Sequence, residues 1–271
     1  MGPGRLEGEV AIITGGGRGF GKAIAERFAT EGAAVAITQR SSDQLAQTAA
    51  AIIASGGEAL AVAGDVTDVA RVEAVIEEAE SRFGRVSLLV NAAGVAGPFG
   101  PLWEVAPDDW WRTQEIHVRG TFLFAGAVMR RMVRGGGGRI ISLVSNAGTR
   151  VSTNDSGYSL AKASQIRLME LAAQEGRPHG VVTFAVHPGT VATELTDLII
   201  SSGEAQQWLP NLVAHLDRVR ESSDADAGLA RCAAMCVELA SGNYDALSGR
   251  YLEAGWDLDA LAKEAKGSSG A

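Results

Sequence analysis

Short apolar runs alternate with longer amphipathic stretches along the chain. The runs are Val10–Thr14, Val35–Thr38, Glu58–Ala63, Val86–Asn91, Arg139–Val144, Val181–His187 and Arg250–Leu252. Short segments of this kind, rich in Val, Ile and Leu, predict strands buried within a sheet. Between them apolar residues recur at helical spacing, as at Phe20, Ile24 and Phe28, then Val72, Val75, Ile76 and Ala79. That spacing puts one face of each helix on a core. The alternation implies βαβ units, so the expected fold class is α/β, a doubly wound parallel sheet of about seven strands with helices on both faces. No repeat or linker divides the chain, and residues 1–271 read as a single domain.

One interval breaks the rhythm. Thr190 to about Asp224 is too long for a simple connection and carries Leu198-Ile199-Ile200 and Trp208-Leu209-Pro210. A long insertion after a sheet strand is expected to be a lid over a binding site. Leu198, Ile199, Trp208 and Leu209 would form its apolar face, and Val95–Phe99 the opposite wall.

The first strand runs into Thr14-Gly15-Gly16-Gly17-Arg18-Gly19-Phe20-Gly21, which opens the first helix. Glycines there permit a tight turn, a close backbone approach to a pyrophosphate and close helix–strand packing. The helix N-terminus adds unpaired N–H groups and a positive dipole end. The element therefore predicts nucleotide binding. Its Gly-x-x-x-Gly-x-Gly spacing, with the leading Thr, resembles the cofactor motif of the short-chain dehydrogenase/reductase family.

The resemblance extends in order along residues 10–193. Asp65-Val66 matches the family's adenine-contacting pair, and Asn91-Ala92-Ala93-Gly94 resembles its Asn-Asn-Ala-Gly motif with one position changed to Ala. Tyr158 and Lys162 stand four residues apart, on one face if helical, and Ser145 precedes Tyr158 by thirteen residues. A Tyr is too weak an acid or base at neutral pH. A neighbouring ammonium would pull its pKa down, and a Ser hydroxyl can position a carbonyl oxygen. The family uses this Ser–Tyr–Lys set at the same spacing. Pro188-Gly189 looks like the family's Pro-Gly segment, in which Val191 and Thr193 would hold the nicotinamide carboxamide.

The family fold is a Rossmann-type sheet, here of expected strand order 3-2-1-4-5-6-7. The resemblance implies interconversion of a carbonyl and a secondary alcohol with NAD(P), Tyr158 moving the proton. Gln39 stands where the family's ribose-reading acid usually lies, with Arg40 after it and Arg18 in the turn. Two guanidiniums without a carboxylate suit the 2′-phosphate of NADP. The competing reading is two solvated arginines and NAD. The preferred reading is thus an NADPH-dependent ketone reductase. An NAD-dependent alcohol dehydrogenase, or a dinucleotide-sensing homologue without catalysis, is the alternative.

One position departs from the family. His117 occupies the place of an Asn that kinks its helix and holds a relay water. An imidazole titrating near neutrality could keep the relay. The kink, however, is expected to depend on the amide. His179, His187 and His215 read as loop or packing residues.

Composition trims the remaining options. With 24 Lys and Arg against 32 Asp and Glu the net charge is −8, which disfavours nucleic-acid partners. No apolar run reaches the ~18–20 residues of a membrane helix, and no signal-peptide pattern opens the chain, so a cytoplasmic location is expected. Cys232 and Cys236 share one helix face as small core residues, and no metal site is offered. The long helices Asp108–Val133 and Ser156–Gln174, with the strand near Tyr251, would by resemblance build a homo-oligomer, a tetramer or dimer. Small carbonyl or alcohol substrates would be the partners.

Overall fold

The computed structural model describes residues 4–222 and 225–268. Residues 1–3, 223–224 and 269–271, which belong to the expected domain and to the end of the expected lid, lie outside the described residues. The sheet holds β1 (Val10–Thr14), β2 (Ala34–Gln39), β3 (Glu58–Ala63), β4 (Leu88–Asn91), β5 (Gly138–Leu143), β6 (Val181–His187) and β7 (Tyr251–Glu253). All are parallel in the order β3-β2-β1-β4-β5-β6-β7. The expected strand order is met, and boundaries move by one or two residues.

Side-chain alternation divides each central strand between two cores. Ala11 and Ile13 of β1 face α1 (Gly19–Thr30), α2 (Ser42–Ala54) and, later in the chain, α10 (Ala225–Ala240) and α11 (Leu258–Ser268). Val10 and Ile12 face α3 (Val69–Phe83), α5 (Gly120–Gly135) and α6 (Ser156–Gly176). The helical spacing of Ile24 and Phe28, and of Val72, Val75 and Ile76, is what brings them to these cores fully or almost fully buried. Each such side chain contributes about 1.5–3 kcal/mol of hydrophobic stabilisation. Cys232 and Cys236 are buried free thiols in the first core, as expected.

The predicted helix Asp108–Val133 is interrupted. Its first part is α4 (Pro107–Gln114), followed by a π-helical turn at Glu115–Arg119 and then α5. The lid interval folds as α7 (Glu194–Ser201), α8 (Gly203–Trp208) and α9 (Pro210–Glu221). Among the described residues no helix is long and apolar enough to cross a membrane. β1 lies between β2 and β4, so the crossover direction reverses beside it. The crevice beyond the strand ends at such a switch point is where open α/β sheets bind ligands.

Candidate active site

A cleft of about 590 Å³ opens at that switch point, its floor formed by residues that follow β1, β4, β5 and β6. Every residue expected at the cofactor and catalytic site lines it except Gly17 and Asn91, which stand behind its wall. Gly17 donates its N–H to Gln39 Oε1 at 3.0 Å, and Asn91, buried, donates Nδ2 to Ser142 Oγ at 3.1 Å. Thr14 Oγ1 accepts the N–H groups of Ala92 and Ala93, both at 3.1 Å, tying the end of β1 to the segment after β4.

The glycine turn is a cradle that side chains would fill. Gly15 has φ +69°, in the left-handed region, and a Cβ there would touch Ala93 backbone at 3.0 Å. A Cβ on Gly21 would fall 2.2 Å from the Gly15 carbonyl oxygen. No side chain caps the N-terminus of α1, in contrast to α3, where Asp68 accepts two backbone N–H groups. A turn this close-packed, leading into an uncapped helix end, fits a pyrophosphate. Arg18 forms an ion pair with Glu194 of the lid at 2.7 Å, while Arg40 is exposed at the rim. Asp65 Oδ2 meets Arg112 at 3.1 Å and Oδ1 accepts Thr67 N–H and Oγ1–H. Burial pushes the Asp65 carboxyl up, but these bonds prevail and hold it below the usual carboxylate range.

On the opposite wall, α6 carries Tyr158 and Lys162 one turn apart, facing Ser145 at the end of β5. Lys162 Nζ donates to Leu143 O at 2.9 Å and lies 5.4 Å from the centre of the Tyr158 ring. Burial pushes the Lys162 ammonium down to about 7. It also pushes Tyr158 up to about 12, against a hydrogen bond with Ser145 that lowers it. The expectation that Lys162 pulls the phenol down is therefore not met. Desolvation of the phenolate outweighs its partners, and Tyr158 stands as a neutral proton donor.

His117 sits in the middle of the π-turn, buried, with its ring edge-on to Tyr158 at 5.4 Å between centres. The kink thus survives without an amide, which corrects the expectation. His117 Nε2 lies 2.9 Å from Val95 O and 3.2 Å from Val95 N. In the tautomer protonated at Nε2 the ring donates to Val95 O, and in the other it accepts Val95 N–H. A carbonyl of the widened turn, His117 O, accepts Gln165 Nε2–H at 3.1 Å. Nδ1 is buried without a partner. Burial, followed by the charge of Lys162, pushes the imidazole down to about 3. It is a neutral group, not one titrating near pH 7, which corrects the second expectation at this residue.

The sign of the linkage follows. A histidine whose folded pKa is depressed supplies stability above its unfolded pKa, near 6.5, and loses it as pH falls toward about 3. Between pH 7 and 4.5 the protein should lose about 2–3 kcal/mol more than its His117→Asn variant. Urea unfolding of both at the two pH values measures this, and parallel curves would refute it.

A family model described as short chain dehydrogenase matches residues 9–202. The chain belongs to the short-chain dehydrogenase/reductase family. It is 32% identical to a short chain dehydrogenase of Pseudocercospora fijiensis, over 98% of this chain and 86% of that one. It is 36% identical to the D-threitol dehydrogenase of Mycolicibacterium smegmatis, over 70% of this chain and 73% of that one. The crystal structure of a short-chain dehydrogenase/reductase from Burkholderia xenovorans superposes with TM-score 0.81 at 31% identity, covering 95% and 98% of the two chains. This enzyme family uses an NAD(P) cofactor, and the turn, the uncapped α1 and the wall of Tyr158 and Lys162 are the residues that would hold it.

The lid differs in detail from its sequence reading. Ile199 lines the cleft of this short-chain dehydrogenase/reductase, but Leu198 is 56% exposed, and Trp208 and Leu209 are not in the lining. Leu195 and Leu212 take their place, because α7 and α9 turn those faces inward. His187 and His215 also line the cleft, although they read as loop or packing residues. Sequence reading missed Arg112 and Asp155. Arg112 carried no local signal, whereas Asp155 had one, because it stands three residues before Tyr158 on the same helical face.

Proposed function

We propose that the protein is an NADPH-dependent reductase that converts a ketone to a secondary alcohol, reversibly, with Tyr158 as general acid. The observation that carries this reading is the convergence of Ser145, a neutral, half-buried Tyr158 and Lys162 on the cleft that also holds the glycine turn. The bound nicotinamide supplies the hydride. Ser145 Oγ accepts the Ala147 N–H at 3.2 Å, and its own hydrogen, which faces the Tyr158 oxygen, turns to a substrate carbonyl oxygen on binding. Tyr158 donates its proton to that oxygen as the alcohol forms. Lys162 is fixed by Leu143 O beneath the ring, where it would hold the nicotinamide ribose. His117 holds the Val95 segment beside Tyr158.

Arg18 and Arg40, with no carboxylate at position 39, support a 2′-phosphate. The ion pair of Arg18 with Glu194 is the observation that favours the second reading, an NAD-dependent alcohol dehydrogenase. Titration with NADPH and NADH, followed by a panel of ketones and secondary alcohols, separates the two. Arg18→Ala combined with Arg40→Ala should weaken NADPH binding about 10–100-fold and leave NADH within about twofold, since charge-assisted bonds contribute ~1.5–3 kcal/mol. Tighter binding of NADH by the unaltered protein would transfer the assignment to the dehydrogenase.

A homo-oligomer belongs to the same proposal. The α4–α5 and α6 faces leave Trp111, Phe122 and Leu171 exposed along a groove of about 1040 Å³ that does not include the catalytic side chains. An apolar face of this kind fits a second copy of the chain.

A further inference from the structure

The catalytic wall carries a carboxylate that the reaction described above does not use. Asp155 immediately precedes α6 and stands one turn before Tyr158. It lines the same cleft, is 6% exposed, and its Oδ1 has no hydrogen-bond partner. A buried acceptor left without a donor costs ~1–3 kcal/mol, more when charged. Burial alone pushes this carboxyl up to about 7, and its charge in turn raises Tyr158.

The surrounding backbone holds the group in place. Asn154, at φ +60°, is the one non-glycine residue in the left-handed region among the described residues. Its carbonyl accepts Gly100 N–H at 2.9 Å, and its side-chain amide donates to Trp208 O of α8 at 3.0 Å. Loop and lid therefore both anchor the residue before Asp155. Gly97 marks where the two functional side chains converge. A Cβ there would lie 3.3 Å from Tyr158 Cβ and 3.8 Å from Asp155 Oδ1. The missing side chain lets the Gly97 backbone approach both groups closely.

We propose that Asp155 recognises substrate by accepting a hydrogen bond from a hydroxyl on a carbon neighbouring the reacting one, so that the enzyme takes α-hydroxyketones and vicinal diols. The inference rests on the oxidoreductase reading above and names the substrate class of that site. A hydroxyl suits the subsite better than an ammonium, because Lys162, Arg112 and Arg150 share the cleft and disfavour a cation. A site built to bond a hydroxyl discriminates strongly against the analogue that lacks it, since the protein group is then left unpaired.

Binding should be read apart from turnover. Tyr158→Phe protein, saturated with the oxidised dinucleotide, is titrated calorimetrically with butane-2,3-diol and with butan-2-ol. The diol should bind at least about 10-fold tighter. Asp155→Ala in the same background should bring the two alcohols to within about twofold, while Asp155→Asn, which keeps an acceptor oxygen and the shape, should retain part of the preference. Equal affinities before the change, or a preference that survives Asp155→Ala, overturns the proposal. With Tyr158 intact, the ratio of kcat/KM for acetoin over butan-2-one should collapse toward one in Asp155→Ala. An equal fall on both substrates would show a merely structural role and overturn it as well. Diol preference in binding with no turnover of any carbonyl by the unaltered protein would defeat the oxidoreductase reading and leave the recognition by Asp155 standing.

Discussion

Tyr158→Phe should lower turnover by about 10³-fold or more while leaving dinucleotide affinity within about twofold. The phenol hydroxyl stands on the catalytic wall as a neutral acid, and positioned general acids contribute ~10²–10⁴-fold. Loss of the oxygen also removes a partner of Ser145, so the substrate carbonyl loses both its proton and part of its anchor. The ring itself is retained. It keeps its edge-on contact with His117 and its position over Lys162, so the wall should not collapse. The glycine turn and α1, which would hold the pyrophosphate, are on separate elements and are untouched. Steady-state rates with the ketone panel, together with calorimetric titration of the dinucleotide, give the two numbers. Turnover above about a tenth of the original would remove Tyr158 from its role.

Gly21→Ala should weaken dinucleotide binding at least about 100-fold. The added Cβ would lie 2.2 Å from the Gly15 carbonyl oxygen, 2.7 Å from its carbon and 3.2 Å from Gly16 N. All three neighbours are backbone, so no side chain can swing away, and α1 must part from the turn. The N–H groups that would hold the pyrophosphate then lose their common focus. Overpacking of this kind also costs ~1–3 kcal/mol of stability, which thermal unfolding would register. Gly203→Ala is the matched control, because a Cβ there meets nothing within 4 Å. It should leave affinity within about twofold. Normal binding by the Gly21 variant would show that the turn is not the phosphate site.

Much of this arrangement was legible before any coordinates. The alternation of strand and helix spacing specifies a parallel sheet. Glycines at 15, 17, 19 and 21 have few roles outside a close-approach turn. The i,i+4 pair Tyr158 and Lys162 needs only a helix to share a face. These are local constraints, each written within a few neighbouring residues, and the parallel order follows from short connections of fixed hand. Leu198 was misread for a related reason. Apolar residues mark α7 as amphipathic, but they do not say which side of it the cleft will lie on.

Desolvation was not legible, because it sums over residues that lie far apart in the chain. The neutral state of His117 depends on burial beneath Val95 and beside Lys162, contributed by three separate elements. The raised phenol of Tyr158, the lowered ammonium of Lys162 and the unpartnered carboxylate of Asp155 have the same origin. The π-turn persists with an imidazole because Val95 and Gln165, distant in sequence, satisfy its polar groups. The pairing of Arg18 with Glu194 spans 176 positions and depends on where the lid folds back. Sequence by itself determined the scaffold, the glycine turn and the spacing of Ser145, Tyr158 and Lys162. Only the tertiary structure decided their burial, which face the lid presents and which buried polar atom is left without a partner, since those are set by packing between elements rather than by spacing within one.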